Sequence, residues 1–357
     1  MSNYLKYADS VDVMQADEEA LSDQIAESMA RVGHAVFSRH CHATRNAHAR
    51  SHGVLKGELV IESPLPAHLA QGLFALPGRY PVVIRLSSSP GEIGPDSQPA
   101  ARGFAIKVLG VAGNKVLPDD SGHTQDFLLV NSPSIAFGDV RSYQRMQDFL
   151  ERAEHDPDGM AGAAAKLKRT PDPKLETMLR EVLRANSNHI LGETFYSMAA
   201  VRFGEYVAKI SAAPASDEVR ALTGTPVGTH QRPSAFRDLV VDFFRQHGAE
   251  YHLRAQLCTD LTRMPIEDAA VVWDERVSAH QTIARIVIPR QEAYSTARQA
   301  YGDEVLSFNP WHAIEAHRPL GSIMRIRRKV YEQSSRFRHT MNGEPRREPE
   351  DISELPD

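Results

Sequence analysis

The chain has 357 residues, of which 41% are apolar and 7% aromatic, and its formal net charge at pH 7 is −5. This length suffices for one large domain, and the mild negative charge argues against a nucleic-acid partner, which needs clustered positive charge. Two widely separated cysteines, Cys41 and Cys258, indicate no disulfide framework. We see no secretory signal and no apolar run of roughly 20 residues, so we expect a soluble, cytoplasmic protein without a membrane-spanning segment.

The first predicted element is an amphipathic helix, and short strands follow it. Residues 17–40 place apolar side chains at helical spacing behind an acidic first turn. Short segments that are rich in β-branched residues and bounded by Gly, Pro, Asp or Ser then predict strands. These segments are 57–62, 80–87, 102–110 and 126–130.

Helical and strand patterns both continue through the second half of the chain. Residues 138–190 are helical with breaks at "HDPDGMAGAAA" and "RTPDPK", and a further helix is predicted near 233–247. Strand patterns occupy 195–211, 250–258 and 281–289. A long basic helix over about 320–341 is the final predicted element.

These elements indicate one α+β domain with helices around a sheet. The strands fall into two groups, and about eight antiparallel strands can close as a barrel, which removes exposed sheet edges. We predict an N-terminal helical arm over 1–40 and a main domain over 41–341. Residues 342–357 are charged and Pro-rich, so we expect a disordered tail.

The last predicted helix carries an arginine and a tyrosine on one face. Arg327 and Tyr331 are one turn apart, and Arg338 lies two turns further along the same face. A phenolate is one of the few protein ligands for haem iron, and a nearby guanidinium or ferric ion favours that ionised form. The alternative is a basic surface helix, and the same R-x-x-x-Y spacing occurs outside helices at Arg202–Tyr206 and Arg290–Tyr294.

Residues 34–53, "HAVFSRHCHATRNAHARSHG", are unusually rich in histidine, with five in twenty residues. Imidazole is a common transition-metal ligand, so a metal site is the first hypothesis. However, His48 and His52 enclose only Ala, Arg and Ser, without the glutamate that a zinc-protease motif requires. Most of these histidines are therefore interpreted as surface or packing residues.

Three blocks, in order, resemble the catalase superfamily over roughly residues 40–340. "RNAHARSHG" (45–53) resembles its distal-histidine segment, and "VVIRLSSSPGE" (82–92) with "ARGFAIKV" (101–108) resembles its R-F-S and R-G-F-A strand pair. The third block is the last helix, with R-x-x-x-Y and an arginine seven residues beyond it. The resemblance implies a catalase-like antiparallel barrel of about eight strands with a C-terminal helix that bears the ligand of haem b.

On the distal side of the haem, the resemblance implies that His48 is the general acid–base and that Ser87 orients its imidazole. Catalases have an asparagine in this pocket, and alignment on "FLLVNSP" (127–133) gives its place to Thr124, with Gln125 as the neighbouring alternative. Thr124 would then stand beside the bound peroxide, with a hydroxyl in place of an amide.

On the proximal side, the resemblance implies that Tyr331 is the ligand of the ferric iron and that Arg327 keeps its phenol ionised. Phe137 is expected to stack on the macrocycle. The residues expected to meet the haem propionates are Arg45, Arg85 and Arg338.

The resemblance predicts a small catalase-like haem peroxidase that decomposes hydrogen peroxide or organic hydroperoxides. The alternative enzyme is a fatty-acid hydroperoxide isomerase or lyase of the allene oxide synthase type, although those synthases have Thr where this chain has Ala47. A non-enzymatic barrel that binds an apolar ligand is the third hypothesis. The expected partner is a peroxide or lipid hydroperoxide substrate, and a homo-oligomer is left open.

Overall fold

The structure is a computed structural model that describes residues 4–156, 158–169, 171–183 and 186–357. The helices are α1 (Glu18–His40), α2 (Val140–Glu154), α3 (Gly159–Arg169), α4 (Pro173–Leu183), α5 (Asp217–Arg220), α6 (Ala235–Gln246), α7 (Thr296–Ala300) and α8 (Ser322–Asn342). The strands are β1 (Arg50–Ile61), β2 (Gly78–Ser88), β3 (Arg102–Leu109), β4 (Thr124–Val130), β5 (Phe195–Tyr196), β6 (Val201–Phe203), β7 (Tyr206–Pro214), β8 (Ala249–Leu257) and β9 (Gln281–Ile288). Pro157 and Thr170, in the two predicted helix breaks, lie outside the described residues.

The strands form one antiparallel sheet that closes into a barrel. Their order is β5-β4-β3-β2-β1-β9-β8-β7-β6, and β5 also pairs with β7. This last pairing closes a ring of eight strands and leaves β6 beside β7. The predicted α+β class and the closed antiparallel barrel are confirmed.

The interior of the barrel is the main hydrophobic core. Successive strand residues point to opposite faces, so Val82, Ile84 and Leu86 of β2 face inward and are buried. Phe104 of β3 reaches across the interior to Tyr251 of β8, with ring centroids 5.1 Å apart. Burial of each side chain of this size contributes about 2 kcal/mol to stability.

The alternate residues of the sheet point outward, toward the surrounding helices. On β2 these include Arg85 and Ser87, and both are buried although they face away from the core. Helix α8 packs against α1, against α2 and against a π-helical turn at Tyr301–Val305. Arg85 and Ser87 therefore lie between the outward face of the sheet and this helical layer.

Two strand predictions differ from the structure in their boundaries. β1 begins at Arg50, before the predicted start at 57, because its first residues pair with the end of β2. The predicted strand over 195–211 is divided into β5, β6 and β7. Met198 (φ +59°) and Gly204 (φ +61°) turn the chain there, since left-handed backbone interrupts an extended strand.

Residues 342–357, expected to be disordered, are placed against the barrel in the structure. The Glu348 carboxylate lies 2.5 Å from Nζ of Lys107, whose side chain is completely buried. Ile352–Glu354 form a 3₁₀ turn, and Leu355 is buried. Composition alone misses this arrangement, because the carboxylate that a buried ammonium requires comes from the tail.

Helix α8 is fixed in place near its start and ends with a left-handed residue. Arg325 forms ion pairs with Asp12 and Glu18, which join the helix to the N-terminal segment, and with Glu267 in the segment between β8 and β9. Gly343 (φ +71°) ends the helix in the conformation that favours glycine. Within the described ranges, no helix combines the length and apolar character needed to cross a membrane.

Candidate functional site

His48 lies immediately before β1 and is held against the outward face of the sheet. Its backbone is left-handed (φ +56°), a rare conformation for a side chain of this size, and its amide donates to the carbonyl of Ser89 at 2.9 Å. Imidazole Nδ1 lies 2.9 Å from Oγ of Ser87. When Nδ1–H donates to this hydroxyl, the opposite ring nitrogen, Nε2, keeps its lone pair.

The surroundings of His48 favour its neutral form. Burial lowers the pKa of His48 to about 3, and the positive charges of Arg85, Arg327 and Arg45 add to this effect. A neutral imidazole with an available lone pair can accept a proton at physiological pH. The structure thus brings His48 and Ser87 together in a geometry suited to general acid–base chemistry.

Three arginines converge on the segment 302–306. Arg45 donates to the carbonyls of Gly302 (2.6 Å) and Leu306 (2.7 Å). Arg338 donates to the carbonyl of Leu306 at 3.0 Å. Both Arg45 and Arg85 form ion pairs with Asp303, at 3.2 and 3.0 Å. The sequence motifs place these arginines far apart in the chain, and the fold gathers all three.

This arginine cluster carries more positive than negative charge. Asp303 contacts two of its members, and among the described residues no carboxylate lies within ion-pair distance of Arg338. Burial lowers the pKa of Arg45 well below its usual range, and the neighbouring guanidiniums lower it further. Burial likewise lowers the pKa of Arg338 to about 10. Glu304 adds a second negative charge near Arg45 and Arg338, so the cluster keeps a net positive charge that suits an anionic partner such as a carboxylate.

Tyr331 lies on α8, half-buried, at the edge of the main core. Tyr143 of α2 is close by, and burial raises the pKa of its phenol to about 12. The charge of Arg327 acts to lower this pKa, and the neighbouring Tyr331 acts to raise it. Phe137 contacts the Tyr143 ring edge-on, with centroids 5.0 Å apart. Phe137, Tyr143, Arg327 and Tyr331 thus share one region, although a direct Arg327–Tyr331 contact stays a prediction.

The segment before His48 runs along α8 and links the two regions. The amide of Asn46 donates to Oγ of Ser334 at 3.3 Å. Near the end of the helix, Oδ1 of Asn342 accepts from the amide of Ala43 at 2.9 Å. Because Ser334 follows Tyr331 by one turn, these bonds hold the His48 segment beside the helix face that carries the tyrosine.

A strip of apolar sheet beside His48 is incompletely covered. The strip consists of Ala105 on β3 with Leu128 and Val130 on β4, all facing outward and all half-buried. Their inward-facing neighbours Phe104 and Leu129 are 0% and 2% exposed. The surrounding residues thus leave these three apolar side chains only partly covered.

Thr124 does not lie in this site. It is the first residue of β4 and pairs with Leu109, whereas Val130 pairs with Gly103 next to His48. The length of β4, roughly 20 Å, therefore separates Thr124 from the site. The alternative, Gln125, accepts a hydrogen bond from the amide of Ile314. The prediction of Thr124 in this site is corrected, and Val130 is the β4 residue that lies opposite Gly103.

The sequence prediction missed three residues of the site. Gly103 stands in the R-G-F-A block, and a Cβ there would lie 2.7 Å from Nδ1 of His48, so the motif itself offered a signal. Val130 is identified only by the register of β4 against β3. Asp303 belongs to no recognisable motif and follows Arg85 by 218 residues, so only the folded structure identifies it as a partner of the arginines.

The other histidines of the histidine-rich segment go to separate partners. His40 and His42 contact the carboxylates of Glu92 and Glu304 at the surface. His52 is buried and bonds Oγ of Ser88 at 2.7 Å. Among the residues that the structure describes, no three His, Cys, Asp or Glu side chains gather as a metal site. A histidine-ligated metal is therefore not supported here, and Tyr331 stays the predicted ligand.

The comparisons with known proteins find similarity in structure but not in sequence. No protein-family model and no curated protein sequence matches the chain. The structure is similar to that of a fungal catalase determined at 1.9 Å, with a TM-score of 0.63 and 16% identity over 85% of this chain and 60% of that one. For catalase A from Saccharomyces cerevisiae the TM-score is 0.63, with 15% identity over 95% of this chain and 69% of that one.

A bacterial catalase gives a TM-score of 0.57 and 12% identity, over 85% of this chain and 59% of that one. The chain thus spans about 60% of the length of the fungal and bacterial catalases that it matches. At such identities the likeness concerns the fold and leaves activity open. The chain has the catalase-like fold, a closed antiparallel β-barrel with surrounding helices.

Proposed function

We propose that this chain is a haem-dependent, catalase-like peroxidase that reduces hydrogen peroxide or organic hydroperoxides. One arrangement carries the proposal: a neutral His48 and the helix face of Tyr331 flank an open apolar strip of sheet, with the arginine cluster at its edge. The likeness in fold to catalases supports the same reading.

The residues present fit a haem in charge and in chemistry. The phenol oxygen of Tyr331 would bind the iron, since tyrosine is an established axial ligand. The apolar strip around Ala105 and Leu128 would cover one region of the macrocycle, and Phe137 would add an aromatic contact. The net positive charge of the arginine cluster would attract the propionates.

The chain's own contribution to catalysis is proton transfer and orientation. Bound haem would supply the redox chemistry that cleaves the O–O bond. Nε2 of His48 would take the proton from the hydroperoxide OH and return it to the oxygen that departs. Ser87 would hold the imidazole in the required tautomer, and Arg327, one turn before Tyr331 on the same helix face, would orient its phenol.

The experiment that tests this function combines haem titration with peroxide turnover. We expect the purified chain to bind about one equivalent of haem with a Soret band and to consume peroxide with a reducing donor. Replacement of His48 by alanine should retain haem but slow turnover by about 10²-fold or more, as expected for loss of a general acid–base.

The matched control is His230→Ala, which removes a surface histidine and should leave turnover unchanged. Failure to bind haem, or full turnover in His48→Ala, would contradict the proposal. A rearranged fatty-acid product formed without donor consumption would instead support the isomerase or lyase.

A further inference from the structure

The sheet position next to His48 is marked by Gly103. It pairs with Ser87 on one side and with Val130 on the other. A Cβ at Gly103 would lie 2.7 Å from Nδ1 of His48 and 2.6 Å from Oγ of Ser87. The face of the sheet toward which this Cβ would point is therefore the face on which the His48 imidazole rests.

Val130 presents its side chain on that same face. Directly opposite residues of antiparallel strands point to the same side, with Cβ positions about 5 Å apart. Leu128, two residues before Val130, shares this face and is also half-buried. The wall of the site beside the imidazole is thus formed by isopropyl and isobutyl groups.

The polar residues nearest to this wall are already engaged. Asn131 lies just beyond the end of β4, where its Oδ1 accepts from the amide of Arg102 at 2.8 Å and its Nδ2 donates to Glu193 at 3.2 Å. The hydroxyl of Ser87 is bonded to Nδ1 of His48. The side chains that β3 and β4 place on this face nearest to Gly103 are therefore apolar: Ala105, Leu128 and Val130.

This wall distinguishes the two classes of peroxide. Hydrogen peroxide carries a hydroxyl on each oxygen, so His48 can satisfy one end while the other end meets hydrocarbon without a hydrogen-bond partner. An organic hydroperoxide, R–O–O–H, has a single hydroxyl for His48 and an apolar substituent for the wall. The apolar wall therefore favours the organic class.

We infer that the substrates of this site are organic hydroperoxides and that Val130 is the residue that determines this specificity, an inference that rests on the proposed function. Each turnover converts one R–O–O–H, two electrons and two protons into one R–OH and one water. The electrons come from two molecules of a phenolic donor, each of which loses one electron and one proton. His48 returns the proton that it took to the oxygen that carries R, which leaves as the alcohol.

The test compares the haem-loaded chain with its Val130→Asn variant, in which an amide donor replaces the apolar group. We measure kcat/KM for cumene hydroperoxide and for hydrogen peroxide with a phenolic donor. The unmodified chain should prefer cumene hydroperoxide, and in Val130→Asn the ratio of the two values should fall by about tenfold or more. Val130→Ala, which stays apolar, is the matched control and should not raise kcat/KM for hydrogen peroxide.

A second readout does not depend on turnover. Val130→Asn should weaken the binding of 2-phenylpropan-2-ol, the alcohol product, by several-fold in calorimetry, relative to the unmodified chain. If Val130→Asn folds poorly, the same two measurements are made on Val130→Thr. Threonine matches valine in shape and has a hydroxyl in place of one methyl group.

Preference for hydrogen peroxide in a chain that binds haem and depends on His48 would overturn this inference and leave the proposed function intact. An unchanged ratio in both polar variants would also overturn it. A chain that binds no haem would overturn the proposed function first, and the inference with it.

Discussion

The outward face of β3 and β4 is closed at one end and open at the other. At the closed end, Lys107 and Asp126 form an ion pair at 2.8 Å, and both side chains are 0% exposed. Glu348 from the tail contacts the same ammonium. At the open end, Gly103 and Val130 occupy the corresponding paired positions, and Val130 stays half-buried. The same two strands thus support a sealed ionic cluster and an open apolar site.

The difference between the two ends explains why other parts of the chain cover one end of these strands and leave the other end uncovered. A buried ion pair requires complete coverage by partners, so it draws in the tail and excludes water. Gly103 and Val130 need no charged partner, so the space above them stays available for a ligand and for the His48 imidazole. The closed end is sealed by paired charges, and the open end is where we propose that the chemistry takes place.

The largest expected effect comes from breaking the closed end. Lys107→Met leaves the Asp126 and Glu348 carboxylates without their cation, so we expect a loss of about 3–5 kcal/mol in the free energy of unfolding, measured by urea denaturation. Lys329→Met is the control, because it removes an exposed ion pair with Asp23 and should cost at most about 1 kcal/mol. Equal losses in the two variants would refute the contrast between the two ends.

A methyl group at the open end should disturb the site more than the fold. In Gly103→Ala the new Cβ meets the His48 ring and the Ser87 hydroxyl, so we expect a displaced imidazole and a decrease in peroxide turnover of about tenfold or more. The expected cost in stability is about 1–3 kcal/mol, as for other overpacked positions. Gly228→Ala, where an added Cβ meets no atom within 4 Å, is the control. Turnover equal to that of the unmodified chain would contradict the close packing of Gly103 on His48.

The smallest expected effect is a pH dependence that belongs to His48. Its pKa of about 3 lies below the value of about 6.5 in an unfolded chain, so its neutral form stabilises the fold above pH 6.5. This contribution is lost as the pH falls from about 6.5 toward 3, since the unfolded chain binds the proton first. The haem-free chain should therefore lose stability on acidification more steeply than its His48→Ala variant. Parallel curves in denaturant unfolding between pH 7 and 4 would contradict the burial of a neutral imidazole.

The sequence predicts the framework of the fold well, because that framework rests on local periodicity. The helix over 17–40, the basic helix near 320–341 and most of the short β-branched strands appear in the structure within a few residues, whereas β1 begins at Arg50 and not at the predicted 57. The exceptions have physical causes. Left-handed residues divided the strand predicted over 195–211, and a buried ammonium ordered the tail that composition predicted to be disordered.

The site is less accessible from sequence, because it depends on register and on contacts between distant segments. The resemblance paired His48 with Ser87, and the structure places them within hydrogen-bond distance. It misplaced the neighbour of the peroxide, since a strand's own sequence does not state which of its residues opposes Gly103. Asp303 bonds both Arg45 and Arg85 across more than 200 residues, which no local pattern indicates.

The most direct test of the account is the visible spectrum of the haem-loaded Tyr331→Phe variant. Loss of the phenol oxygen should abolish stable haem binding or shift the Soret band strongly, whereas Tyr206→Phe, at an R-x-x-x-Y spacing in a strand, should leave the spectrum unchanged. A Tyr331→Phe protein with unaltered haem affinity and an unaltered high-spin ferric spectrum would contradict the assignment of Tyr331 as the iron ligand and, with it, the proposed haem site.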